Sequence, residues 1–373
     1  MNAEWQEKLG RIRALLERRG WDGALLGRND SFCWLSGGHS AFVDKGSQNA
    51  VVKLLVTRRE QYVFANSSEQ YRIPQEELAD LDIELVAYPW HESEEATLRP
   101  YLKGKKIISD CGVYGTQEES AELLALRSPL TQEEIGRYRE VGPLCANIVE
   151  DCCREIQPGD NEYQIAGKVT GRLMAQGFQV PVCLVAADER LLRYRHPLPM
   201  GREVRERAMI AICAQKYGLT ISMSRIVSFV PLDGETQRKY DALLEVDATY
   251  IVNTVAGARA GDIVKKGRQA YARAGYEADF HLHHQGGALG YLTRDYCANE
   301  SDPNLVHSGQ AFSWNPTMAG VKCEDTYLVF EERQEILSHT GNWVYRDVTV
   351  DGKTVTRPLI LVKEDGGQGR GGV

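Results

Sequence analysis

The chain has 373 residues, of which 43% are hydrophobic and 26% charged, a composition typical of a globular protein long enough for two domains. Its 44 Lys and Arg residues against 52 Asp and Glu residues give a formal net charge of −8, which argues against nucleic acid or an anionic membrane as the main partner. No apolar run approaches the roughly 20 residues that a membrane-spanning helix needs.

The cysteines point to a reducing compartment. There are nine of them, they are scattered along the chain, and none forms a CxxC pair. Buried thiols explain such an odd, dispersed set better than disulfides do. The first eight residues are charged and amphipathic, unlike a secretory signal peptide. We therefore predict a cytoplasmic protein.

Residues 1–126 are predicted to form a small α/β domain. Its first helix is indicated by apolar side chains at helical spacing, namely Trp5, Leu9, Ile12, Leu15 and Leu16. Gly20 stands where a helix C-cap glycine belongs. Short apolar runs predict strands over residues 23–27, 50–56, 61–65 and 105–109. The segment carries no catalytic signature of its own.

Residues 127–363 are predicted to form a second, larger domain. Thr131 and Glu134 have the spacing of a capping box and predict the start of a long helix. A second helix is expected from about Asp160 to Gly177, with Ile165, Val169 and Leu173 on its buried face. Further helices are expected over residues 235–255 and from residue 261. The glycine-rich residues 364–373 are predicted to be a disordered tail.

Residues 311–331, AFSWNPTMAGVKCEDTYLVFE, are predicted to form a two-stranded hairpin. This stretch resembles the FSxEPG and GxxxEDTxLV patterns of the pita-bread superfamily, which contains methionine aminopeptidase, aminopeptidase P, prolidase and creatinase. Residues 29–37, NDSFCWLSG, are similar to the N…YLTG element of creatinase and prolidase N-terminal domains. The resemblance covers essentially the whole chain. It implies an α+β fold, with a creatinase-like N-terminal domain before a pita-bread domain.

In metal-dependent members of this superfamily, two Asp, one His and two Glu hold two metal ions. The resemblance places the histidine at His284 and the second glutamate at Glu324, whereas Asn315 takes the place of the first glutamate. Ser222 takes the place of the second Asp. The first Asp corresponds to Ala211 when counted back from Gly218, or to Cys213 when counted forward from His196. Two of five ligands therefore remain, and we expect no metal and no cofactor.

His196 matches a histidine that contacts substrate in proline peptidases and acts as acid and base in creatinase, a metal-free hydrolase. A histidine titrates near neutrality and can move a proton without a metal. The resemblance thus makes His196, His284 and Glu324 candidate catalytic residues. A structural role for each histidine is the competing interpretation. Ser224 and Asn315 stand where creatinase has glutamates for the guanidinium group, which disfavours creatine hydrolysis.

Candidate substrate-binding residues surround this set: Ser222, Ser224, Asn315, Arg294, Tyr291 and Cys213. Arg294 and Arg225 could meet a substrate carboxylate, although most arginines are solvated or structural. Tyr291 and Trp314 could wall a small pocket, or simply pack in the core. Cys213 could serve as a nucleophile, although cysteine is commonly a buried core residue. His281 and His283 are expected to flank the site without joining it.

These residues predict a polar, nearly uncharged site for a small neutral or zwitterionic molecule. The leading interpretation is a metal-independent hydrolase acting on a C–N or similar bond of a small amino-acid-like substrate. A catalytically inactive binding module is the second interpretation, since the superfamily includes the peptidase-like domain of a histone chaperone. A metal-dependent Xaa-Pro peptidase with atypical ligands is the third. The resemblance also implies a homodimer, in which residues 37–44 of one chain could cap the site of the other.

Overall fold

The computed structural model describes residues 2–363, so the predicted tail lies outside the described residues. The chain forms two compact units. Of the described residues, the first unit comprises 2–134, 217–219 and 290–292, and the second comprises 135–216, 220–289 and 293–363. Within residues 2–363, no helix combines the length and the apolar character that crossing a bilayer requires.

Within the described residues, the first unit contains four α-helices, one short π-helix (Ile73–Glu77) and a mixed sheet of six strands. The helices are α1 (Ala3–Arg19), α2 (Asn29–Ser36), α3 (Glu94–Leu102) and α4 (Ser120–Ala125). The strands are β1 (Gly23–Arg28), β2 (Asn49–Thr57), β3 (Gln61–Asn66), β4 (Glu84–Tyr88), β5 (Ile107–Ser109) and β6 (Gln117–Glu118). The order across the sheet is β4-β3-β2-β1-β5-β6, with β1 antiparallel to β2 and parallel to β5.

Helix α1 has the buried face and the C-terminal cap that its sequence pattern predicted. All five predicted core positions are buried, from Trp5 at 2% exposed to Leu16 at 0%. Asn2 caps the N-terminus by accepting a hydrogen bond from the backbone N–H of Trp5 at 3.1 Å. Gly20 ends the helix in the left-handed conformation, with φ 68°, as predicted.

A cluster of buried charges lies in the first unit. The Lys8 ammonium is fully buried and contacts Glu4 at 2.6 Å and Glu134 at 2.8 Å. The Tyr291 hydroxyl donates to Glu134 at 2.6 Å. Glu134 also accepts from the backbone N–H of Thr131 at 2.7 Å, which confirms the predicted capping box. The carboxylates therefore compensate a lysine that would otherwise be costly to bury.

The second unit contains six helices and twelve strands within the described residues. The helices are α5 (Gln132–Glu155, from Ile135 onward in this unit), α6 (Glu162–Ala175), α7 (Glu189–Arg193), α8 (Gly234–Asn253), α9 (Ala260–Arg273) and α10 (Glu277–Phe280). The longer strands are β7 (Gln179–Ala187), β8 (Arg207–Lys216), β9 (Leu219–Ser228), β10 (Gly286–Leu289), β11 (Gln310–Trp314), β16 (Tyr345–Val350) and β17 (Lys353–Pro358). The short strands are β12 (Thr317–Met318), β13 (Val321–Lys322), β14 (Tyr327–Val329), β15 (Gln334–Ile336) and β18 (Leu361–Val362).

These strands form two four-stranded sheets and two ribbons. One sheet has the order β18-β9-β8-β7 and the other β10-β11-β14-β15, while β12 pairs with β13 and β16 pairs with β17. The predicted helices are present, and the apolar face of α6 is buried at Ile165, Val169 and Leu173. Helices together with largely antiparallel sheets confirm the predicted α+β class.

The predicted hairpin of residues 311–331 is confirmed. Strand β11 pairs antiparallel with β14, and β12 pairs with β13 between them. Trp314 is 1% exposed, stacks on Tyr250 with ring centroids 4.7 Å apart, and donates its indole N–H to Thr254 at 2.9 Å. Trp314 is therefore a core residue.

Candidate functional site

A cavity of about 120 Å³ lies in the second unit. Its lining combines apolar strand residues with polar and charged side chains: Val182, Leu184, His196, Ala211, Ile212, Cys213, His284, Thr293, Arg294, Asn315, Lys322 and Glu324. The cavity thus brings together most of the site residues predicted from the sequence, although these are spread over more than 120 positions of the chain. This volume is below the roughly 300–1,000 Å³ of sites for drug-sized molecules, so the cavity suits a small ligand.

The hairpin supplies the central carboxylate of this cavity. Glu324 is 4% exposed, and its backbone carbonyl accepts the N–H of Ser224 at 3.0 Å. Its Oε1 lies 2.7 Å from the Arg294 guanidinium, and its Oε2 lies 3.2 Å from the Lys322 ammonium. Burial by itself raises the pKa of Glu324, but the two cations outweigh burial and hold that pKa below its ordinary value. Glu324 is therefore an ionised group held between two cations.

The prediction of a nearly uncharged lining is wrong. Lys322 and Arg294 are opposed by one carboxylate, Glu324, which leaves a formal charge of +1 while the imidazoles are neutral. Lys322 was missed by reasoning from sequence. The available signal was its position two residues before Glu324 in an extended segment, because such residues point to the same face.

Beneath Glu324, a buried ion network fixes the hairpin. The neighbouring Asp325 contacts Arg225 at 2.9 Å and Arg357 at 2.8 Å, and all three side chains are fully buried. Arg225 also contacts Glu150 at 3.1 Å. Arg225 is therefore a structural residue, and the suggestion that it meets a substrate carboxylate is wrong because its guanidinium is already enclosed by carboxylates.

Three imidazoles gather at one side of the cavity. Nε2 of His196 lies 3.0 Å from Nε2 of His283, and the rings of His283 and His284 stack with centroids 4.4 Å apart. His196 and His284 line the cavity, whereas His283 holds His196 by their shared hydrogen bond. His283 thus takes part in the site more directly than the sequence indicated. His281 is exposed and packs edge-on against Phe280.

The pKa values of all three imidazoles are lowered, which favours their neutral forms. Burial, reinforced by the charge of Lys322, lowers the pKa of His283 to about 2. Burial and the charges of Arg294 and Lys322 lower the pKa of His284 to about 4, and the pKa of His196 is lowered mainly by burial. A neutral imidazole can accept a proton, so His196 and His284 are candidate bases, and the lowered pKa of each makes it a weaker base than an unperturbed histidine.

The segment that carries His284 approaches the hairpin closely. Gly286 has φ 98°, and a Cβ atom there would lie 2.3 Å from the backbone oxygen of Ser313. Only glycine permits this approach. Gly286, two residues after His284 in the HHQGG sequence, therefore allows strand β10 to lie against β11, the strand that ends next to Asn315.

Strands β8 and β9 bring Cys213 and Ser222 together. The two strands are joined by Tyr217 and Gly218, whose φ values of 56° and 72° suit a two-residue hairpin turn. The Ser222 hydroxyl donates to the Cys213 sulfur at 3.1 Å and accepts from Arg294 at 3.0 Å. Ser222 therefore positions Arg294 from behind the lining. Burial raises the pKa of Cys213, which keeps it a thiol and disfavours a nucleophilic role.

The remaining candidates divide between the cavity and its support. Ala211 and Cys213 both line the cavity, and neither can supply the carboxylate of a metal ligand. Asn315 lines it with a buried Oδ1 that has no hydrogen-bond partner among residues 2–363. Ser224 supports Glu324 through its backbone. Tyr291 lies in the first unit, where its hydroxyl donates to Glu134, and it is not among the residues that line the cavity.

The donors in this cavity do not fit a centre of two metal ions. Two divalent ions require several carboxylates to bridge and neutralise them. Among the described lining residues Glu324 is the single carboxylate, and two cations already engage it. His196, His283 and His284 have ring nitrogens within 4.8 Å of one another and could offer ligands to one transition-metal ion. The positive charge of Lys322 and Arg294 opposes a dication there as well.

Family models match most of the chain. Residues 8–131 match the creatinase/prolidase N-terminal domain, and residues 136–331 match metallopeptidase family M24. An uncharacterised peptidase of Staphylococcus haemolyticus is 25% identical over 261 residues, which cover 66% of this chain and 72% of that protein. An uncharacterised peptidase of Staphylococcus aureus is 22% identical over 257 residues, which cover 66% and 72%.

Solved structures share the fold at low sequence identity. The prolidase from Pyrococcus horikoshii has a TM-score of 0.75 at 16% identity and covers 90% of this chain and 98% of its own. The Xaa-Pro dipeptidase from Bacillus anthracis has a TM-score of 0.76 at 14% identity, with coverage of 96% and 100%. The N-terminal domain of a FACT complex subunit from chickpea, Cicer arietinum, has a TM-score of 0.70 at 10% identity, with coverage of 91% and 97%.

Proposed function

Because the chain belongs to metallopeptidase family M24 but its cavity lacks the donors for two metal ions, we propose that it is a metal-independent hydrolase. Its substrate is a small amino-acid-like molecule, in which it cleaves a C–N or similar bond. The observation that carries the proposal is the arrangement of Glu324 between Lys322 and Arg294, because this leaves the neutral histidines as the proton-transferring groups of the cavity.

The chemistry requires a base, water and a leaving nitrogen. His196 or His284 accepts a proton from a water molecule as the water oxygen bonds to the substrate carbon. The resulting imidazolium returns the proton to the nitrogen as the C–N bond breaks. Water is consumed, an acid and an amine are formed, and the imidazole is neutral again. The hydrogen bond between His283 and His196 orients His196 for this step.

Turnover measurements on chelator-treated protein test the proposal. The substrate panel comprises N-acyl amino acids, ureido acids and Xaa-Pro dipeptides, and the variants are His196→Ala, His284→Ala and the double substitution. We expect hydrolysis of at least one compound in the presence of chelator, and a loss of about 10²–10⁴-fold in the double variant. The matched control is His307→Ala, which removes an exposed imidazole that does not line the cavity.

Two results would contradict the proposal. One is undiminished turnover in the double histidine variant. The other is turnover that chelator abolishes and manganese or cobalt restores, with about two ions bound per chain. The second result would support a metal-dependent Xaa-Pro peptidase with ligands other than those assigned by resemblance.

The likeness to the FACT subunit domain favours a second candidate function, a catalytically inactive binding module. The two candidates differ in their response to small molecules. Thermal stabilisation and turnover by members of the substrate panel support the hydrolase. Silence in both assays supports the binding module.

We also propose that the protein is a cytoplasmic homodimer. Nine free thiols in the described structure are consistent with a reducing compartment. Light scattering coupled to size-exclusion chromatography tests the dimer, which would have twice the mass of the chain. A mass equal to one chain at all concentrations would contradict it.

A further inference from the structure

Polar groups in the cavity have bonding capacity that the protein leaves unused. The Lys322 ammonium has three N–H donors, and it forms an ion pair with Glu324 at 3.2 Å. The Nε of Arg294 is buried without a hydrogen-bond partner in the same part of the chain. The buried Oδ1 of Asn315 likewise has no partner there. Unsatisfied buried donors and acceptors are costly, so these groups favour a ligand that completes their hydrogen bonds.

We infer that this cavity, in a family named for metal-dependent peptidases, has become an anion site that binds a small carboxylate carrying an N–H group. Lys322, backed by Arg294, holds the carboxylate, and Asn315 accepts the N–H. The inference rests on the proposed function in taking the same cavity as the substrate site. It adds the charge and the hydrogen-bonding pattern of the ligand, and it names Lys322 as a specificity-determining residue.

The positive charge of the cavity supports the inference that its ligand is a carboxylate. Lys322 is 5% exposed and lies in contact with the carboxylate of Glu324, the residue that resemblance assigns as a metal ligand. A second cation, Arg294, holds the other oxygen of that carboxylate. The cavity therefore presents excess positive charge where a metal centre would need excess negative charge. Protonation of the imidazoles would add positive charge, so the sign does not depend on their titration.

The size of the cavity and the position of Asn315 restrict the ligand further. A cavity of about 120 Å³ limits the ligand to a few bonds between its carboxylate and its N–H group. Asn315 is 4% exposed and lines the same cavity as Lys322, so both ends of a small molecule can be bound together. N-acyl amino acids and ureido acids have this arrangement of a carboxylate and an amide N–H.

Three ligands of similar size separate the two contacts without changing the protein. N-acetylglycine has both the carboxylate and the N–H, N-acetylglycinamide lacks the negative charge, and N-acetylsarcosine lacks the N–H. Isothermal titration calorimetry on chelator-treated wild-type protein gives their dissociation constants. We expect N-acetylglycine to bind most tightly, with affinity reduced about ten- to a hundredfold for N-acetylglycinamide. N-acetylsarcosine should bind about three- to tenfold more weakly than N-acetylglycine.

Substitutions then assign the contacts to residues. Lys322→Met should remove the preference for N-acetylglycine over N-acetylglycinamide, while Lys322→Arg should retain it. Asn315→Leu should remove the preference for N-acetylglycine over N-acetylsarcosine. Lys265→Met, at an exposed lysine of α9, is the control and should leave all three affinities unchanged. Circular dichroism establishes that each variant is folded, and the comparison of ligands on wild-type protein stands even where a variant is not.

The outcomes separate this inference from the proposed hydrolase. Charge-selective binding without turnover of any compound would support the anion site and contradict the hydrolase. Turnover without any preference for a carboxylate would do the reverse. Equal affinity for N-acetylglycine and N-acetylglycinamide, binding of none of the three ligands, or tight binding of Zn²⁺ to chelator-treated protein would overturn the anion site.

Discussion

The ammonium nitrogen of Lys322 lies 3.2 Å from the Oε2 atom of Glu324, and one residue separates them along the chain. Both side chains are at most 6% exposed. This contact engages the carboxylate that resemblance identifies as a metal ligand and adds a positive charge beside it. A centre of two metal ions would need this carboxylate as a ligand, so the contact disfavours such a centre in a chain that shares its fold with a prolidase.

Replacing Glu324 should destabilise the protein strongly. Glu324→Gln leaves the buried Lys322 and Arg294 without their shared carboxylate, and an unpaired buried charge costs about 3–5 kcal/mol. The free energy of unfolding from urea denaturation measures this loss. The control is Glu235→Gln, which breaks an exposed contact with Lys239 and should cost no more than about 0.5 kcal/mol. Equal effects of the two substitutions would show that Glu324 is not a buried ion-pair partner.

Lys322 should depress the pKa of the neighbouring imidazoles. Its positive charge disfavours protonation of His283 and His284, whose pKa values are lowered to about 2 and about 4. Lys322→Met should therefore raise both pKa values, although burial should keep them below the ordinary value of about 6.5. Titration followed by NMR of the imidazole ring protons measures the change. Lys265→Met should leave both values unaltered, and a fall in either pKa in Lys322→Met would contradict the proposed electrostatics.

Tyr291→Phe should alter stability and leave ligand binding intact. The substitution removes the hydroxyl that donates to the buried Glu134 at 2.6 Å, which should cost about 1–3 kcal/mol. Because Tyr291 does not line the described cavity, the affinity for N-acetylglycine should be unchanged. Urea denaturation and calorimetry measure the two quantities. Tyr163→Phe, at a tyrosine that is 58% exposed, is the control for stability. A selective loss of affinity would restore the original prediction that Tyr291 contacts substrate.

The buried network around Asp325 should make the protein sensitive to acid. Burial by itself raises the pKa of Asp325, but Arg225 and Arg357 outweigh burial and hold that pKa well below its ordinary value. A carboxylate with a lowered pKa in the folded state contributes stability that is fully present above its unfolded pKa of about 3.9. That contribution is lost as the pH falls from about 3.9 towards the folded pKa.

Asp325→Asn tests this contribution. The variant should be less stable than wild type at pH 7 by about 3–5 kcal/mol, because two buried arginines lose a shared partner. The difference between variant and wild type should shrink below pH 3.9, where Asp325 of the unfolded wild-type chain takes up a proton while Asp325 of the folded chain stays ionised. Urea denaturation from pH 7 to pH 2.5 measures both curves. A difference that stays constant over this range would exclude titration of Asp325 as its cause.

Local signals in the sequence were sufficient to predict several helices and strands of the fold. The apolar spacing of α1 and its Gly20 cap, the Thr131–Glu134 capping box and the hairpin of residues 311–331 are each encoded by neighbouring residues. Helical periodicity, cap chemistry and strand pairing depend on contacts between residues close in the chain. The ordered motifs also identified His196, His284, Asn315 and Glu324, which line the cavity together with Arg294, a candidate that no motif supplied.

The charge of the site could not be predicted in the same way, because it depends on partners that are distant in sequence. Arg294 reaches Glu324 across 30 residues, His196 meets His283 across 87 residues, and Tyr291 meets Glu134 across 157 residues. An isolated motif identifies a carboxylate or an imidazole but not the charge beside it, and that charge sets its protonation and its ligand. The sequence alone therefore determined the family fold and several residues of the cavity, but not Lys322. Tertiary packing decided that two cations enclose its carboxylate and that the Tyr291 hydroxyl donates to Glu134.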